Sequence, residues 1–274
     1  MGLEFKIKAL LKLNLKLFLD THMLRESAFT IVTSGTQFVD GSIMSLFLPD
    51  TEADNTYFGL SNGSVFQSPF RQFVYESGVS LDGTNVSIAP TIISGIYVEG
   101  AFRPTNDPTF GHTIDFINGR IIFNNPQPLT LQVHANFSYR EVRVGFESDF
   151  NNQFNTGYLE SKYSTNPGTS NQLVYPSGFA QPFPAVFIEV AEREFQPYEM
   201  GNRSLIVKDT IKLHVWALDD LSRDNIVDIL TSQARKVVPI INFNRAPLPL
   251  SGIYNTISPE YVPYQEMLRN NTLV

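Results

Sequence analysis

The amino-acid sequence predicts a β-rich α+β protein whose core is an antiparallel sheet or sandwich, with a C-terminal helix on a sheet, long loops and extended terminal arms. Three patterns predict this fold class: a hairpin pattern over residues 112–123, an alternation of apolar and polar side chains over 130–147, and a helical periodicity over 222–236. Alternation puts successive side chains on opposite faces of a strand, whereas a helix repeats its apolar face roughly every 3.6 residues.

The chain can bury one sizeable core or two modest ones, since 42% of its 274 residues are hydrophobic. Charged residues make up only 17% of the chain, below the roughly 25% of an average soluble domain. The 22 Phe and 11 Tyr residues, against a single Trp, are more aromatic rings than small sheets usually hide. We therefore expect some of these rings to lie at subunit interfaces of an oligomer.

The net charge of −7 argues against generic or sequence-specific binding of nucleic acid, because contacts to phosphates need a basic surface. The absence of cysteine excludes disulfides, zinc-thiolate sites and thiol chemistry, and it fits a protein made in a reducing cytoplasm. Stability is therefore expected to come from packing and assembly.

Residues 1–27 are predicted to form a helical or extended arm. Leucines alternate with polar residues between Leu11 and Leu19, which is a strand period built from residues that favour helices. Three placements remain open: a helix or edge strand on its own domain, an arm docked on a neighbouring subunit, or contact with a membrane surface. Because lysines recur and no apolar window of about 18 residues exists, we expect no signal peptide and no membrane partner. Deletion of the first 19 residues is expected to leave a folded chain that assembles poorly.

Residues 28–147 are predicted to form a β-rich lobe. It begins with a short strand at 29–33, ended by Ser34 and Gly35. In residues 37–90, Gly, Ser, Asn, Asp and Thr surround only short apolar runs, which indicates loops around short strands. Such a long loop region is uncommon in a compact domain unless it serves a function, so it is a candidate contact surface.

The same lobe contains the clearest local signal, the hairpin of residues 112–123. Asn118 and Gly119 join its two apolar runs, and because both residues tolerate positive φ they predict a two-residue type I′ turn. Residues 130–147 are predicted to be one long strand. Its apolar phase slips near residue 140, which predicts a bulge or strong bend.

The rest of the chain is predicted to contain a linker, a second lobe and a terminal arm. Residues 148–182, rich in Asn, Ser, Gly and Pro, are predicted to be a loop or linker arm. Residues 183–243 are predicted to form an α/β lobe that begins with strands at 185–191 and 205–217. Residues 244–274 contain several prolines, which favour an extended arm.

Within the second lobe, residues 222–236 are predicted to be a helix capped by Ser222, followed by a strand at 237–243. Leu213 of the preceding strand is expected to face the core, and His214 the opposite side. The helix is expected to pack over the same sheet.

No residue is predicted to be catalytic, cofactor-binding or metal-binding, and no cofactor is expected. The four histidines have no companion ligand at the spacings that metal-binding helices use, and they are interpreted as exposed or interface residues; they are His22, His112, His134 and His214. The glycine signatures of nucleophile elbows, phosphate loops and dinucleotide folds are absent from the sequence.

Two carboxylate pairs are acid/base candidates, namely Asp219 with Asp220 and Glu189 with Glu192. Acids near a helix start usually compensate the helix dipole, so the catalytic interpretation is the weaker one. Residues 149–160 have oxygen-bearing side chains at calcium-loop spacing, but Phe154 occupies the position that requires glycine. We therefore expect an ordinary loop there, and no enzyme.

Residues 183–243 contain four segments in a characteristic order: PAVFIEV (184–190), FQPYEMG (195–201), IKLHVWALDD (211–220) and the helical run 223–233. In this order of segments the C-terminal third resembles the tail-terminator and neck proteins of tailed bacteriophages. This resemblance implies a sheet with flanking helices that closes into rings between the head connector and the tail tube.

The resemblance implies a structural virion protein, assembled in the host cytoplasm, that acts as a ring subunit of the neck, head-to-tail connector or tail terminator. The expected partners are copies of the chain itself and other phage neck, portal or tail proteins. The alternative is a β module of a tail tip or fibre that binds a receptor or glycan, favoured by aromatics and Asn/Asp-rich loops. Mass measurement separates the two, since a ring has about six or twelve copies and a fibre is usually trimeric.

Overall fold

The computed structural model describes the chain in segments that define its architecture. These are residues 3–37, 41–50, 61–70, 72–76, 89–116, 119–146, 184–197, 205–233, 236–241 and 268. Helix α1 spans Leu3–Arg25 and helix α2 spans Asp220–Gln233. The strands are β1 (Phe29–Val32), β2 (Leu46–Pro49), β3 (Val65–Gln67), β4 (Gly95–Val98), β5 (Ala101–Pro104), β6 (His112–Asp115), β7 (Arg120–Phe123), β8 (Val133–His134), β9 (Phe137–Arg140), β10 (Arg143–Phe146), β11 (Ala185–Pro197) and β12 (Leu205–Trp216).

The described strands form three sheets. The largest has seven strands in the order β5-β4-β8-β2-β3-β7-β6 and curls into a half-barrel. Strands β1 and β9 pair antiparallel, while β10 runs parallel to β11 and β11 runs antiparallel to β12. The predicted fold class, a β-rich α+β protein with antiparallel sheets and a C-terminal helix on a sheet, is confirmed.

Two apolar clusters form the cores around these sheets. The first lies in the seven-stranded sheet and under β9, where Phe137 contacts Phe73 and Phe47 with ring centroids 4.4 and 5.8 Å apart. The second joins α1, β10, β11 and α2. Much of the aromatic content is therefore used inside the first core.

The N-terminal segment is a helix that packs on the protein's own core. Leu15, Leu17, Phe18 and Leu19 are buried in the second cluster, where α1 contacts β10 and β11. Among residues 14–24 only Lys16 and Asp20 escape full burial. The helical alternative with packing on its own domain is confirmed, and the extended arm is wrong.

The predicted hairpin exists, but its turn differs from the prediction. Strands β6 and β7 pair antiparallel with Asp115 opposite Arg120, so the loop has four residues and the two-residue type I′ turn is wrong. Gly119 closes the loop at φ 69°, and its N–H donates to the Asp115 carbonyl at 2.9 Å. The positive φ expected of this glycine is therefore retained in a longer loop.

Replacing Gly119 with valine is expected to destabilise the protein by about 1–2 kcal/mol, because a β-branched residue is strained in the left-handed region. Thermal melting or denaturant titration measures this loss. Gly35→Val is a matched comparison, because Gly35 also has a positive φ, 95°, and no heavy atom lies within 4 Å of a Cβ added there. Its destabilisation therefore reports the backbone strain without a steric clash. An unchanged melting temperature for Gly119→Val would show that this loop does not require the conformation.

The described part of the stretch predicted at 130–147 contains three short strands, β8, β9 and β10, so the single long strand is wrong. Strand β8 joins the seven-stranded sheet, β9 pairs with β1, and β10 pairs with β11. The predicted bend is confirmed, since residues 141–142 form a bend between β9 and β10. The predicted apolar phases also hold, because Val133 and Phe137 are buried before the bend and Val144 after it.

In the C-terminal lobe both predicted strands are confirmed as β11 and β12, and Leu213 packs against the second core while His214 is exposed. Helix α2 begins at Asp220, and Asp219, not Ser222, is its cap. The Ser222 N–H donates to Asp219 Oδ1 at 2.8 Å, and the Ser222 hydroxyl donates to Oδ2 at 2.7 Å. The predicted strand after the helix is wrong over its described part, because residues 237–240 are irregular.

Two predicted arms fall largely outside the described residues. These are the linker at 148–182, including the calcium-loop window at 149–160, and the terminal arm at 244–274, of which only Leu268 is described. They stay predictions.

Candidate functional site

The feature of the fold most suited to contacts with other molecules is the hairpin of β11 and β12. Strand β11 has 13 residues and β12 has 12, which corresponds to a ribbon roughly 40 Å long. The strands pair along their whole length, from Ala185 opposite Trp216 to Pro197 opposite Leu205. Most other strands of the fold are much shorter, with four residues or fewer.

The inner half of this hairpin belongs to the core. Val186 and Ile188 are buried in the second cluster, and their cross-strand partners Val215 and Leu213 pack against it. The register shifts between Val190 and Glu192, where Ala191 is the extra residue of a β-bulge. A bulge bends a strand and increases its twist, so the outer half departs from the direction of the inner half.

The outer half has no buried residue among its described side chains, which are those of 192–196 and 207–210. It nevertheless carries an apolar cross-strand pair, Phe195 opposite Val207, with 47% and 38% of these residues exposed. Exposed apolar residues that pair across a projecting ribbon form a surface that another molecule can cover. We call residues 192–196 with 207–210 the hairpin tip.

An ion pair keeps the two strands of the hairpin tip in register. Arg193 lies opposite Asp209, and its Nε and Nη2 donate to the two carboxylate oxygens at 2.7 and 2.9 Å. Such a bidentate pair fixes geometry more firmly than a single contact does. The tip is therefore ordered as a ribbon even though it makes few core contacts.

The outward face of the inner half carries a second charged group. Glu189 accepts a hydrogen bond from His214 at 2.7 Å and lies 3.7 Å from the Lys212 ammonium. The hydrogen bond from His214, and then the Lys212 charge, lower the pKa of Glu189. These are contacts of a cross-strand ion pair on an exposed face.

The acid/base candidate pair of Asp219 and Asp220 has a structural role at the start of α2. The backbone and side-chain hydrogen bonds from Ser222 lower the pKa of the Asp219 carboxyl, because they stabilise its ionised form at the helix start. Asp220 is exposed and pairs with Arg223 at 2.8 Å. The interpretation of these acids as helix-start compensation fits their contacts.

The histidines are more buried than their sequence positions suggest. His22 stacks edge-on against Phe18 with centroids 4.3 Å apart, and His112 shares a hydrogen bond of 2.8 Å between Nδ1 and the Phe110 carbonyl. Both residues are buried, so their interpretation as exposed or interface residues is wrong, whereas His214 is exposed as expected. Burial lowers the pKa of His112.

A Ser–His contact that the sequence does not reveal joins strand β8 to Ser45, the residue before β2. Ser45 Oγ lies 3.2 Å from His134 Nδ1, and the Glu99 charge raises the pKa of His134 against the larger lowering by burial. The group superficially matches a nucleophile, base and acid. Ser45 is fully buried, so a substrate cannot reach its hydroxyl, and we interpret the contact as a link between β8 and the residue that precedes β2.

A buried ionic group connects α1 to the β-rich lobe. Arg140 of β9 contacts Asp20 of α1 at 3.2 Å and also binds the Glu76 carboxylate. Burial raises the pKa of Glu76, although the Arg140 charge opposes this effect. The Arg140 guanidinium also lies 5.8 Å from the Tyr75 ring centroid.

A second polar contact holds the segment after α2 against α1. The buried Asn14 amide oxygen accepts from the Ile241 N–H at 2.7 Å, while its NH₂ group lies 3.5 Å from the Ile241 carbonyl. These two contacts join residues 227 positions apart in the sequence. They hold Ile241 against α1.

No protein family, curated protein or solved structure matches this chain. Within the described segments, no three His, Asp or Glu side chains come together in a group that could hold a metal ion. Neither is there, in those segments, a helix of the length and apolar character that a membrane span needs.

Proposed function

We propose that the chain is a structural virion protein of a tailed bacteriophage, a ring subunit of the neck, head-to-tail connector or tail terminator. The observation that carries this proposal is the hairpin tip, an ordered ribbon that projects from the core with an exposed apolar pair. The resemblance of residues 183–243 to terminator and neck proteins supports the same assignment.

The mechanism of such a subunit is geometric. The tip of one subunit covers a surface of the next, and a contact between two different surfaces repeats around an axis until the ring closes. Burial of the apolar pair contributes free energy in proportion to the area removed from water, about 25 cal/mol per Å². The other proposed partners are phage neck, portal or tail proteins above and below the ring, and the proposed location is the virion.

A second candidate function has one specific observation in its favour. Phe102 on strand β5, at the edge of the seven-stranded sheet, is 48% exposed and stands 5.4 Å from the Tyr97 ring. An exposed aromatic ring such as that of Phe102, beside the half-buried Tyr97, can stack on a sugar, as a tail-tip or fibre module would require. Part of this arrangement is structural, because the Phe102 ring lies against Gly95, where an added Cβ would come within 2.8 Å of it.

Phe195→Ser and Phe102→Ser form a matched pair of variants, since the two side chains are almost equally exposed. If the ring proposal holds, Phe195→Ser weakens self-association about tenfold, the usual size of losing an interface anchor. Phe102→Ser should then leave association unchanged. Native mass spectrometry over a concentration series measures both effects.

The opposite result supports the fibre-type function. In that case the wild-type chain is trimeric, Phe195→Ser has no effect on the trimer, and Phe102→Ser abolishes binding to glycans or host cells. Electron microscopy of particles labelled on this chain supplies the location, and a label away from neck and tail would contradict both assignments.

A further inference from the structure

His112, the first residue of strand β6, has its side chain closed inside the protein. The residue is 3% exposed, and its ring lies edge-on to that of Phe123, its cross-strand partner on β7, with centroids 6.0 Å apart. Histidine is the side chain whose charge changes most readily between about pH 5 and pH 8. A buried histidine therefore couples the local structure to pH wherever its charged form is not accommodated.

The two ring nitrogens of His112 have different surroundings. Nδ1 lies 2.8 Å from the Phe110 carbonyl oxygen, and because a carbonyl can only accept, Nδ1 carries the proton of this hydrogen bond. Nε2 is buried and has no hydrogen-bond partner within the described segments. The neutral ring fits this site, whereas a second proton, on Nε2, would be a buried charged donor without an acceptor.

The acid whose charge acts on His112 is already engaged elsewhere. Asp107 Oδ1 accepts from the Thr109 and Phe110 N–H groups at 2.9 and 2.8 Å. Its Oδ2 lies 3.6 Å from the Arg103 guanidinium. Burial lowers the pKa of His112 by more than the hydrogen bond to Phe110 and the Asp107 charge raise it. Asp107 therefore does not compensate a charged His112 ring.

The other ionisable groups of the adjoining strands lie at the far end of the hairpin. Asp115 on β6 and Arg120 on β7 are cross-strand partners three residues along from His112, which is about 10 Å. Strand β3, the other neighbour of β7, spans Val65–Gln67 and has no ionisable side chain. The burial of the ring is thus the main influence on the protonation of His112.

His112 lies where the loop of residues 105–111 joins the edge of the seven-stranded sheet. Strand β6 is the last strand in the described order of that sheet, next to β7. Two backbone hydrogen bonds hold the loop in place: the His112 N–H donates to the Thr105 carbonyl at 3.0 Å, and the Asn124 N–H donates to the Gly111 carbonyl at 2.9 Å. Because the ring is buried under this arrangement, it reaches water only if the loop or the start of β6 moves.

We propose that His112 is an acid-sensitive latch, in which protonation of Nε2 drives the ring out of its site and opens the loop of residues 105–111, with the start of β6, from β7. The open form hydrates the charged ring and breaks its bond to Phe110. A ring that is buried when neutral takes up its proton more readily in the open form, so the closed form loses stability as pH falls through the ordinary histidine pKa of 6.5. The latch acts within one subunit and does not depend on the proposed ring.

Amide hydrogen exchange of the full-length chain measures the opening. Between about pH 7.5 and pH 5 the opening equilibrium should rise about tenfold to thirtyfold, because the open form binds its proton with the ordinary pKa of 6.5. This rise is expected at the amides of His112 and Asn124, after correction for the intrinsic pH dependence of exchange. The amide of Ile241, which donates to Asn14 in the second core, is the reference and should keep its protection.

Two variants remove the titrating nitrogen in different ways. His112→Phe keeps an aromatic ring against Phe123, and His112→Asn keeps an N–H donor for the Phe110 carbonyl. In both variants the exchange at Asn124 should no longer rise in acid. His134→Asn is the matched control, because burial also lowers the pKa of this second histidine of the sheet, and it should keep the rise. Thermal melting at neutral pH shows that each variant is folded.

Nitrogen NMR of the wild type with isotope-labelled histidine adds a test that needs no variant. A proton on Nε2 instead of Nδ1 at neutral pH, or titration of His112 at or above its ordinary pKa, overturns the latch. An acid-dependent rise of unchanged size in a folded His112 variant overturns it too, as does a rise that disappears in His134→Asn. Exchange that does not rise in the wild type, or that rises equally at Ile241, has the same consequence.

Discussion

Removal of residues 1–19 is expected to unfold the second core, which α1 forms with β10, β11 and α2. The deletion takes away four buried apolar side chains of the second core, those of Leu15, Leu17, Phe18 and Leu19. At about 1.5–3 kcal/mol each, their burial contributes roughly 6–12 kcal/mol, which is comparable with the whole stability of a domain, about 5–15 kcal/mol. It also removes Asn14, which binds the backbone of Ile241. This outcome replaces the expectation of a folded truncated chain.

Point variants of the same helix separate folding from assembly. Leu19→Asp puts a charge at a buried position, so it should give insoluble protein or lower the melting temperature strongly. Lys12→Asp changes a half-buried polar position and should leave the circular dichroism spectrum and melting temperature close to those of the wild type. A truncated chain that melts at the wild-type temperature would show that α1 is not part of the core.

The N-terminal helix shows why a pattern can mislead. Its leucines alternate over Leu11–Leu19, but from Asn14 to Leu24 nearly every side of the helix is buried. A helix that is covered all round has no single apolar stripe, so its periodicity carries little information. The preference of Leu and Lys for helices was the better guide, because it does not depend on which faces are covered.

The stretch 130–147 was predicted well in burial and poorly in pairing. Val133, Ala135 and Phe137 before the bend and Val142 and Val144 after it are buried as the alternation indicates. Ser138 and Arg140, which belong to the polar phase, are also buried. Which strand pairs with which is set by residues far away in sequence: β9 pairs with Phe29–Val32 and β10 with Ala185–Ile188. Local alternation does not contain these partners, so one apparent strand became parts of three sheets.

Most of the structural features that the sequence does not predict are contacts between residues that lie far apart in the chain. Arg140 meets Asp20 and Glu76 across 120 and 64 residues, and nothing in the local sequence marks such a group. The sequence does predict the two strands that carry the hairpin tip. That the tip projects from the core depends on where the core ends, which only the structure gives.

The buried ionic group of Arg140, Asp20 and Glu76 is the second place where a substitution is expected to change stability strongly. Arg140→Met is expected to destabilise the protein by about 3–5 kcal/mol, because it leaves the buried Glu76 carboxylate without its cation. Arg223→Met is the matched control. That arginine also contacts two acids, Asp220 and Asp224, but on an exposed helix, so the variant should lower stability far less than Arg140→Met does.

The double variant Arg140→Met with Glu76→Met should be more stable than Arg140→Met alone, since it removes the unpaired charge and leaves two apolar side chains in the site.

The free energy of unfolding of the single variant Arg140→Met should also depend on pH. Loss of Arg140 removes a positive charge that lowers the pKa of Glu76, so the pKa, already raised by burial, rises further. A carboxyl with a raised folded-state pKa favours the folded state when protonated. The free energy of unfolding of Arg140→Met should therefore fall as pH rises above the ordinary glutamate value of 4.5. Denaturant titrations at several pH values measure this slope, and a double variant no more stable than Arg140→Met would show that the Glu76 charge is not the cause of the loss.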